Sequence, residues 1–445
     1  MYAMKRGHLV AIVLAALITL PGIAIRVTGA FEPLLHSQPI LVATFAGLAV
    51  LGASFLLLWA CDALQEDLSQ TLVLAIVALI AVLPEYAVDM YCTWMAGQYP
   101  QSDWPHLAIA NMTGANRLLI GVAWSVIAFL FWLKTRRDVV LQRERRTELF
   151  FLGIATAYAF FIPIKGSLAW YDGIVFIGIY AWYLIIARRR PVAESEAEGP
   201  AEFILALPRT PRRVFTYGMI VFAGAAILVN AEPFSHGLVQ TGKLLGVSEF
   251  LLMQWLAPIA SEAPEFTVAI MFALRGHAGL ALGSLLSSKL NQWTLLVGMI
   301  PGVYALSAGH IMPPMPMDGH QMNEILLTAA QSLLGVMLLV SLRLSVWQGL
   351  LLFALFIGQF IAPPLVHAIA PLPPTDVAHI LNQEAWRDYL EGMIHPLFAI
   401  IYIATAIGIF LDQPRRLLDV WQGAKLDPPG AALPVEDALE AATKP

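Results

Sequence analysis

The fold is decided by an apolar stretch that carries two acids and two prolines, Ala257-Pro258-Ile259-Ala260-Ser261-Glu262-Ala263-Pro264-Glu265. It lies inside a hydrophobic run from about Phe250 to Leu274. A charged side chain near the bilayer centre costs about 2.5–3.5 kcal/mol on insertion scales, so acids at this depth indicate a function. Proline removes a backbone donor and frees carbonyl oxygens that can face a ligand. We therefore predict helix breaks at Pro258 and Pro264, with a polar site beside them.

A second stretch near the start of the chain repeats the Pro-Glu step, Leu79-Ile80-Ala81-Val82-Leu83-Pro84-Glu85. Asp89 follows it one helical turn later. Two interrupted, acid-bearing hydrophobic segments in corresponding halves of a chain indicate the binding site of a transporter. Pro84 is the predicted helix break of this first segment.

The composition is that of an integral membrane protein. The chain has 445 residues, of which 58% are hydrophobic and 13% are charged, against about 25% charged in soluble domains. No basic stripe indicates nucleic acid, and no Gly-x-x-x-x-Gly-Lys-Ser/Thr loop indicates ATP as the energy source. Cys61 and Cys92 both lie in apolar runs and are interpreted as buried thiols. The expected partners are inorganic cations and the lipid bilayer, with no cofactor; the oligomeric state stays open, and a monomer is compatible with the sequence.

About 20 apolar residues span a bilayer core, which predicts an all-α polytopic protein with about twelve spans. They are residues 8–28, 38–61, 71–97, 105–133, 148–164, 168–187, 214–236, 249–274, 278–306, 322–342, 345–369 and 394–412.

Loop charges predict the orientation, because cytoplasmic loops are enriched in Lys and Arg. With the N-terminus inside, the basic segments 134–146, 188–190 and 209–213 all fall inside. The Pro-Glu spans of Glu85 and Glu265 then run in opposite directions, which is the inverted-repeat arrangement of many secondary transporters. The compact chain, with both termini cytoplasmic, indicates a bacterial inner membrane.

This topology predicts two five-helix halves with one extra helix at each end. The predicted segments are an extra N-terminal helix in 1–37, the first repeat in 38–187, a cytoplasmic linker in 188–213, the second repeat in 214–369, an extracytoplasmic loop and extra helix in 370–412, and a cytoplasmic, partly disordered tail in 413–445.

A helix with small and polar residues at its start follows each Pro-Glu span. These starts are Ala110-Asn111-Met112-Thr113-Gly114-Ala115-Asn116-Arg117 in the first half and Gly283-Ser284-Leu285-Leu286-Ser287-Ser288-Lys289-Leu290-Asn291 in the second. They align without a gap. Small residues let helices approach closely, and Asn or Ser oxygens can share in coordinating a cation.

These motifs resemble the cation/calcium exchanger superfamily, the sodium/calcium exchanger membrane-region family. Its two repeats each hold a Gly-Thr-Ser-x-Pro-Glu helix followed by a Gly-Asn-x-x-Gly-Ser-Asn/Asp helix. The matching residues in this chain are Pro84, Glu85, Asn111, Gly114, Asn116, Ser261, Pro264, Glu265, Gly283, Ser284 and Ser288. Ala81, Val82, Ala115 and Glu262 depart from the pattern, and Lys289 stands where the family has an ion-binding Asn or Asp.

The resemblance implies a secondary active cation antiporter that exchanges Ca²⁺ or another cation against Na⁺ or H⁺ by alternating access. It implies that Glu85 and Glu265 face each other at mid-membrane as the paired carboxylates of the ion site. Neutral oxygens would come from Asn116, Ser261, Ser288, Asn111 and Ser284, and Asp89 and Glu262 could share the faces of the paired acids.

Two cations near these motifs leave the ion open. We expect Lys289 to replace one cation site, which keeps a sodium/proton-type monovalent antiporter as an alternative. Arg117 is expected to pair with Asp89 or Asp103 or to face a cytoplasmic cavity. Glu265–Lys289 and Asp89–Arg117 could also be purely structural ion pairs, and a transporter-like scaffold or sensor and an intramembrane enzyme are the remaining alternatives. His320, beside the loop His310–Met317, could join a soft-metal site, although an ordinary outward loop is the favoured interpretation.

Overall fold

The computed structural model describes residues 2–65, 80, 82–188, 199–310, 313–369 and 383–412. Parts of four predicted segments lie outside the described residues: the start of the third span, the middle of the linker, the loop at 370–382 and the tail from 413.

The described chain is almost entirely helical. In chain order the α-helices are α1 Tyr2–Val27, α2 Phe31–Ser37, α3 Pro39–Gln65, α4 Leu83–Gln98, α5 Trp104–Leu118, α6 Ser125–Thr135, α7 Arg146–Ala159, α8 Phe161–Lys165, α9 Trp170–Ala187, α10 Pro200–Leu205, α11 Arg209–Leu245, α12 Glu249–Leu251, α13 Ala257–Arg275, α14 Ala278–Asn291, α15 Val297–Ala308, α16 Gly319–Leu339, α17 Val346–Ile369, α18 Gln383–Gly392 and α19 Ile394–Asp412.

Three π-helical segments join consecutive α-helices without breaking the chain path. They are Leu119–Trp124 between α5 and α6, Leu252–Leu256 between α12 and α13, and Gln292–Leu296 between α14 and α15. Short π-helical segments inside α-helices occur frequently at functional sites. The first and third occupy equivalent places, since each begins three residues after one of the aligned positions, Asn116 and Lys289.

Ten helical stretches in the described ranges are long and apolar enough to cross a membrane. They are Gly7–Val27, Pro39–Gln65, Trp104–Thr135, Arg143–Lys165, Trp170–Ala187, Arg209–Leu245, Glu249–Arg275, Gly319–Leu339, Val346–Pro363 and Ala385–Asp412. Leu83–Gln98 and the run from Ala278 to Ala308 are also helical. The all-α polytopic fold is therefore confirmed, and the number of twelve spans stays a prediction.

Two predictions about helix ends are wrong. Pro264 does not end a helix, because α13 runs unbroken from Ala257 to Arg275; one missing donor weakens a membrane helix without terminating it. The span predicted at 214–236 is the longer helix α11, Arg209–Leu245. Part of the predicted linker is thus helical. Helix α11 ends at Leu245 and is followed by Gly246, whose positive φ of 66° suits a helix C-terminus.

The other two prolines lie at helix starts. Pro84 lies in the first turn of α4, where its missing N–H costs no helical hydrogen bond. Pro258 lies in the first turn of α13, directly after the π-helical segment Leu252–Leu256. Glu85 therefore lies in the first turn of α4, whereas Glu262 lies in the second turn of α13.

Two short antiparallel ribbons tie the two halves of the sequence together. Strand β1 (Val139–Val140) pairs with β4 (Arg343–Leu344), and β2 (Ser167–Leu168) pairs with β3 (Met315–Pro316). The helices α7 and α8 lead from β1 to β2, whereas α16 leads from β3 to β4. Each ribbon therefore joins a loop of one half to a loop of the other, and the two ribbons lie at opposite ends of these helices.

The helices pack around small residues where backbones approach closely. Helix α3 packs along α11, and a methyl group on Gly237 of α11 would meet the backbone nitrogen of Ala43 at 2.7 Å. Helix α5 packs against the π-helical segment Leu252–Leu256, where a methyl group on Gly114 would lie 1.9 Å from the carbonyl oxygen of Gln254. These contacts leave room in the core for the polar side chains described next.

Candidate cation site

The centre of the site is a pair of buried carboxyl groups on α4 and α13. Glu85 is 4% exposed and Glu262 is 3% exposed, and their carboxyl groups interact within hydrogen-bonding range. Glu85 lies in the first turn of α4, where unpaired backbone N–H groups and the helix dipole favour a negative charge. The direct partner of Glu85 is thus Glu262 rather than Glu265.

Glu265 lies one turn further along α13, roughly 4.5 Å along the helix axis from Glu262, and remains within electrostatic range of Glu85. Its carboxylate accepts a 2.7 Å hydrogen bond from the Ser288 hydroxyl of α14. Both residues are half-buried, in contrast to the fully enclosed pair. Glu265 and Ser288 therefore form the more accessible side of the cluster.

Gln292 closes the pair from the neighbouring π-helical segment. Its amide nitrogen donates to a carboxylate oxygen of Glu262, and the residue is 1% exposed. Gln292 was not among the ligands predicted from the sequence, although it lies three residues after Lys289 and hence on the same face of the helix. One oxygen of Glu85, one of Glu262 and the side-chain oxygen of Gln292 are buried without a hydrogen-bond partner. Buried polar atoms without partners are costly, so this cluster contains oxygens available to a cation or a proton.

Lys289 is fully buried and bound to the opposite half of the chain. Its ammonium group donates to the backbone carbonyl of Asn116 at 3.2 Å and to Asn116 Oδ1 at 2.7 Å. It also lies 4.5 Å from the ring centroid of Trp293. Glu85 and Glu262 are within electrostatic range of Lys289, whereas its hydrogen bonds go to Asn116 and not to Glu265. The structural pair Glu265–Lys289 considered from the sequence does not form.

Asp89 and Asn111 make a separate contact next to the pair. Asp89 lies one turn after Glu85 on α4, is fully buried, and accepts a 3.1 Å hydrogen bond from the Asn111 amide. Its second carboxylate oxygen has no hydrogen-bond partner. A contact deeper along α4 involves Cys92, whose thiol lies 3.8 Å from the Ser235 hydroxyl.

Two predicted neutral ligands differ in their placement. Ser261 is buried on α13, and its hydroxyl donates to the carbonyls of Ala257 and Pro258 in its own helix, which leaves its lone pairs free. Ser284 is exposed on the surface of α14. Ser284 lies one turn before Ser288 on the same helix, but its exposure separates it from the buried acids.

Arg117 belongs to a different network from the one expected. Its guanidinium pairs with Glu324 of α16 and lies 5.3 Å from the ring of Trp255, and both charged residues are at most 1% exposed. The predicted partners Asp89 and Asp103 are therefore wrong. Glu324 lies more than 200 residues along the chain, and no spacing in the sequence indicated this pair.

The chain matches the sodium/calcium exchanger protein family over residues 38–188 and 215–362. A crystal structure described as the H⁺/Ca²⁺ exchanger CAX is 36% identical, has a TM-score of 0.77, and is aligned over 92% of this chain and 97% of its own. The putative antiporter CaxA of Alkalimonas amylolytica is 24% identical over 70% of this chain and 97% of its own length. An uncharacterised membrane protein of Methanocaldococcus jannaschii is 23% identical over 63% of this chain and 82% of its own length.

The family match covers more than half of the chain and confirms the resemblance inferred from the Pro-Glu motifs. Two relatives that align over 97% of their own length are named as an exchanger and a putative antiporter. The chain therefore belongs to the sodium/calcium exchanger protein family and is a secondary cation antiporter.

Proposed function

We propose that the protein exchanges Ca²⁺ for H⁺ by alternating access. The observation that carries this proposal is the contact between the buried carboxyl groups of Glu85 and Glu262. Two carboxylates in contact inside a protein cannot both stay ionised without compensation, so they hold either a proton or a cation. Protons and a divalent cation then compete for the same carboxylates, so binding of one requires release of the other. This competition couples the two fluxes.

The proposed cation ligands are the carboxylates Glu85, Glu262 and Glu265 with the hydroxyl oxygens of Ser261 and Ser288. Ca²⁺ takes 6–8 oxygen ligands, a number that three carboxylates, some of them bidentate, and two hydroxyls can supply. Gln292 contributes by holding the Glu262 carboxylate in place. The half-buried Glu265–Ser288 pair is the proposed entrance to the site.

The remaining predicted ligands have supporting roles in this proposal. Asn111 orients Asp89 beside Glu85, and Asn116 holds Lys289 instead of a transported ion. The structural similarity to a solved H⁺/Ca²⁺ exchanger supports Ca²⁺ and H⁺ as the exchanged ions.

A monovalent antiporter is the second candidate, and the position of Lys289 favours it. Lys289 brings a positive charge next to Glu85 and Glu262, which lowers the net negative charge available to a divalent ion. A site that contains a fixed ammonium group and therefore carries less net negative charge suits one Na⁺ better than one Ca²⁺.

Alternating access follows from the two halves, which we propose to be residues 38–187 and 214–369 with opposite orientations. The ribbons β1–β4 and β2–β3 support this arrangement, because each joins a loop from one half to a loop from the other. The basic loops at the β1–β4 end support a cytoplasmic location for that end and for both termini. The membrane is proposed to be the bacterial inner membrane.

Flux into reconstituted vesicles tests the proposal. We expect a pH gradient to drive Ca²⁺ uptake by the wild type, and a Na⁺ gradient of equal size to drive little. Glu85→Gln and Glu262→Gln should each reduce this flux at least about 100-fold, because a neutral amide removes both the charge and the exchangeable proton. The matched control is Glu202→Gln on the surface of α10, which should leave flux unchanged.

Two results would contradict the proposal. Uptake that follows the Na⁺ gradient and ignores pH would favour the monovalent or sodium-coupled alternative. Full Ca²⁺ flux in both glutamine variants would remove the carboxyl pair from the mechanism.

A further inference from the structure

A second cluster of metal-ligating side chains lies outside the carboxyl pair. His320 and Glu324 of α16 and His395 of α19 each offer one ligand atom, and these atoms all lie within 4.8 Å of one another. Glu324 is fully buried, His395 is partly buried, and His320 is exposed. His320 lies at the start of α16, directly after β3 of the second ribbon, and His395 lies at the start of α19. The cluster thus combines a buried carboxylate, Glu324, with an exposed imidazole, His320.

The two oxygens of the Glu324 carboxylate have different partners. Oε2 accepts from the Arg117 guanidinium and, at 2.7 Å, from the amide of Gln254. Oε1 faces Nδ1 of His395 at 2.8 Å. Arg117 and Gln254 therefore fix the carboxylate and occupy one oxygen, whereas the other oxygen is directed to the imidazole side.

An ion pair alone does not explain the second histidine. Arg117 already compensates the charge of Glu324, and Oε1 makes no hydrogen bond within the described residues although Nδ1 of His395 lies 2.8 Å from it. His320 is nevertheless placed with a ring nitrogen within the same 4.8 Å group, its ring 6.1 Å from the ring of His395 and 4.7 Å from that of Phe250. Two imidazoles and one carboxylate oxygen therefore converge at one place. The negative charge of Glu324 is already balanced by Arg117 and requires neither imidazole.

We propose that His320, Glu324 and His395 bind a borderline divalent transition-metal ion, for which Zn²⁺ is the probe. Two His and one Glu form a ligand set typical of zinc, at about 2.0–2.2 Å from the ion. Tetrahedral geometry at these lengths places ligand atoms about 3.4 Å apart. The Nδ1–Oε1 distance has to open by roughly half an ångström from 2.8 Å, and the wider separations have to close. Metal binding requires neutral imidazoles and an ionised carboxylate, so any proton on these groups is released to solvent.

The site is chemically distinct from the proposed cargo site. Ca²⁺ prefers 6–8 oxygens and binds imidazole poorly, whereas zinc accepts imidazole readily. The bound metal connects α19, which lies outside both proposed halves, to α16 of the second half. This inference does not depend on which ion the exchanger carries.

Binding to the purified full-length protein tests the proposal. Titration with Zn²⁺ should show one ion bound per chain at this site, and substitution by Co²⁺ should give the visible absorption of a tetrahedral complex. A large excess of Ca²⁺ should leave the Co²⁺ signal in place. His320→Ala and His395→Ala should each weaken binding at least about tenfold, the lower end of what the loss of an outer-sphere partner costs.

The matched control is His310→Ala, an exposed histidine in the preceding loop, which should bind like the wild type. Glu324 is left intact in these tests because its loss would leave the buried Arg117 without its ion-pair partner. The Glu262→Gln variant should keep the tetrahedral Co²⁺ spectrum, which separates this site from the carboxyl pair. Equal binding by wild type and both histidine variants would overturn the proposal, as would displacement of Co²⁺ by Ca²⁺ or the absence of a tetrahedral spectrum.

Discussion

The Lys289 ammonium group donates hydrogen bonds to both oxygen atoms of Asn116, the backbone carbonyl oxygen at 3.2 Å and Oδ1 at 2.7 Å. The two residues occupy aligned positions in the two halves, so the side chain from one repeat fills the ligand position of the other. The ammonium group thereby takes oxygens that the family resemblance assigns to the ion site. This contact gives a physical reason for a cation site with fewer ions than the motif pattern would provide.

Replacing this fixed charge should change the ion coupling. Lys289→Asn removes a positive charge near Glu85 and Glu262 and returns the Asn116 oxygens to the cavity, so we expect tighter cation binding. The apparent affinity for Ca²⁺ should rise at least about tenfold, which corresponds to about 1.4 kcal/mol, and a Na⁺ gradient should begin to drive uptake. Flux in vesicles under separate pH and Na⁺ gradients measures both changes. Unchanged affinity and unchanged coupling would refute the role of Lys289.

The close approach of α5 to the second half predicts a packing-sensitive glycine. In Gly114→Ala the new methyl group would lie 1.9 Å from the carbonyl oxygen of Gln254. Overpacking a filled core costs about 1–3 kcal/mol, so the apparent Tm in detergent should fall. Gly178→Ala is the control, because the position is exposed on α9 and nothing lies within 4 Å of the added carbon. A Gly114→Ala protein as stable as the control would show that the two elements separate freely.

The Arg117–Glu324 pair should behave as a buried ion pair. Arg117→Met alone leaves the buried Glu324 without its guanidinium partner, and breaking a buried pair costs about 3–5 kcal/mol. The double variant Arg117→Met with Glu324→Gln removes both charges and should recover much of the loss. Thermal unfolding of the four proteins in a double-mutant cycle measures the coupling. Additive losses would mean that the two groups do not interact.

The distribution of basic loops predicts the side of the membrane on which each loop lies. A cysteine at Arg343 in β4 should react with an impermeant maleimide only from the cytoplasm, and one at Ser102 should react only from outside. Both positions are exposed, while the native Cys61 and Cys92 are buried and give no background. Labelling of intact cells and inverted membrane vesicles gives the comparison. Reaction of both positions from one side would contradict the inverted arrangement.

Much of the fold follows from simple features of the sequence. Apolar length located most helices, and the paired Pro-Glu steps identified the family and the region of the site. Helix ends were harder, because Pro264 lies inside a continuous helix and α11 extends to Leu245. In membrane helices packing against neighbours compensates for one missing hydrogen bond, so proline alone does not determine a boundary.

The details of the site depend on contacts that local sequence does not encode. Which acid meets Glu85 is set by the rotation of α13 about its axis, and this rotation placed Glu262 there. Arg117 and Glu324 form an ion pair because α5 packs against α16. Gln292 alone could have been anticipated, since it shares a helix face with Lys289.

In the proposed mechanism, the Glu85–Glu262 pair exchanges protons for Ca²⁺ in one site. Calorimetric titration of the purified protein with Ca²⁺, in two buffers of different protonation enthalpy, counts the protons released per ion. We predict release of roughly one to two protons per Ca²⁺, reduced by about one in Glu262→Gln wherever binding survives. Ca²⁺ binding without proton release, or an unchanged count in both Glu85→Gln and Glu262→Gln, would contradict the account.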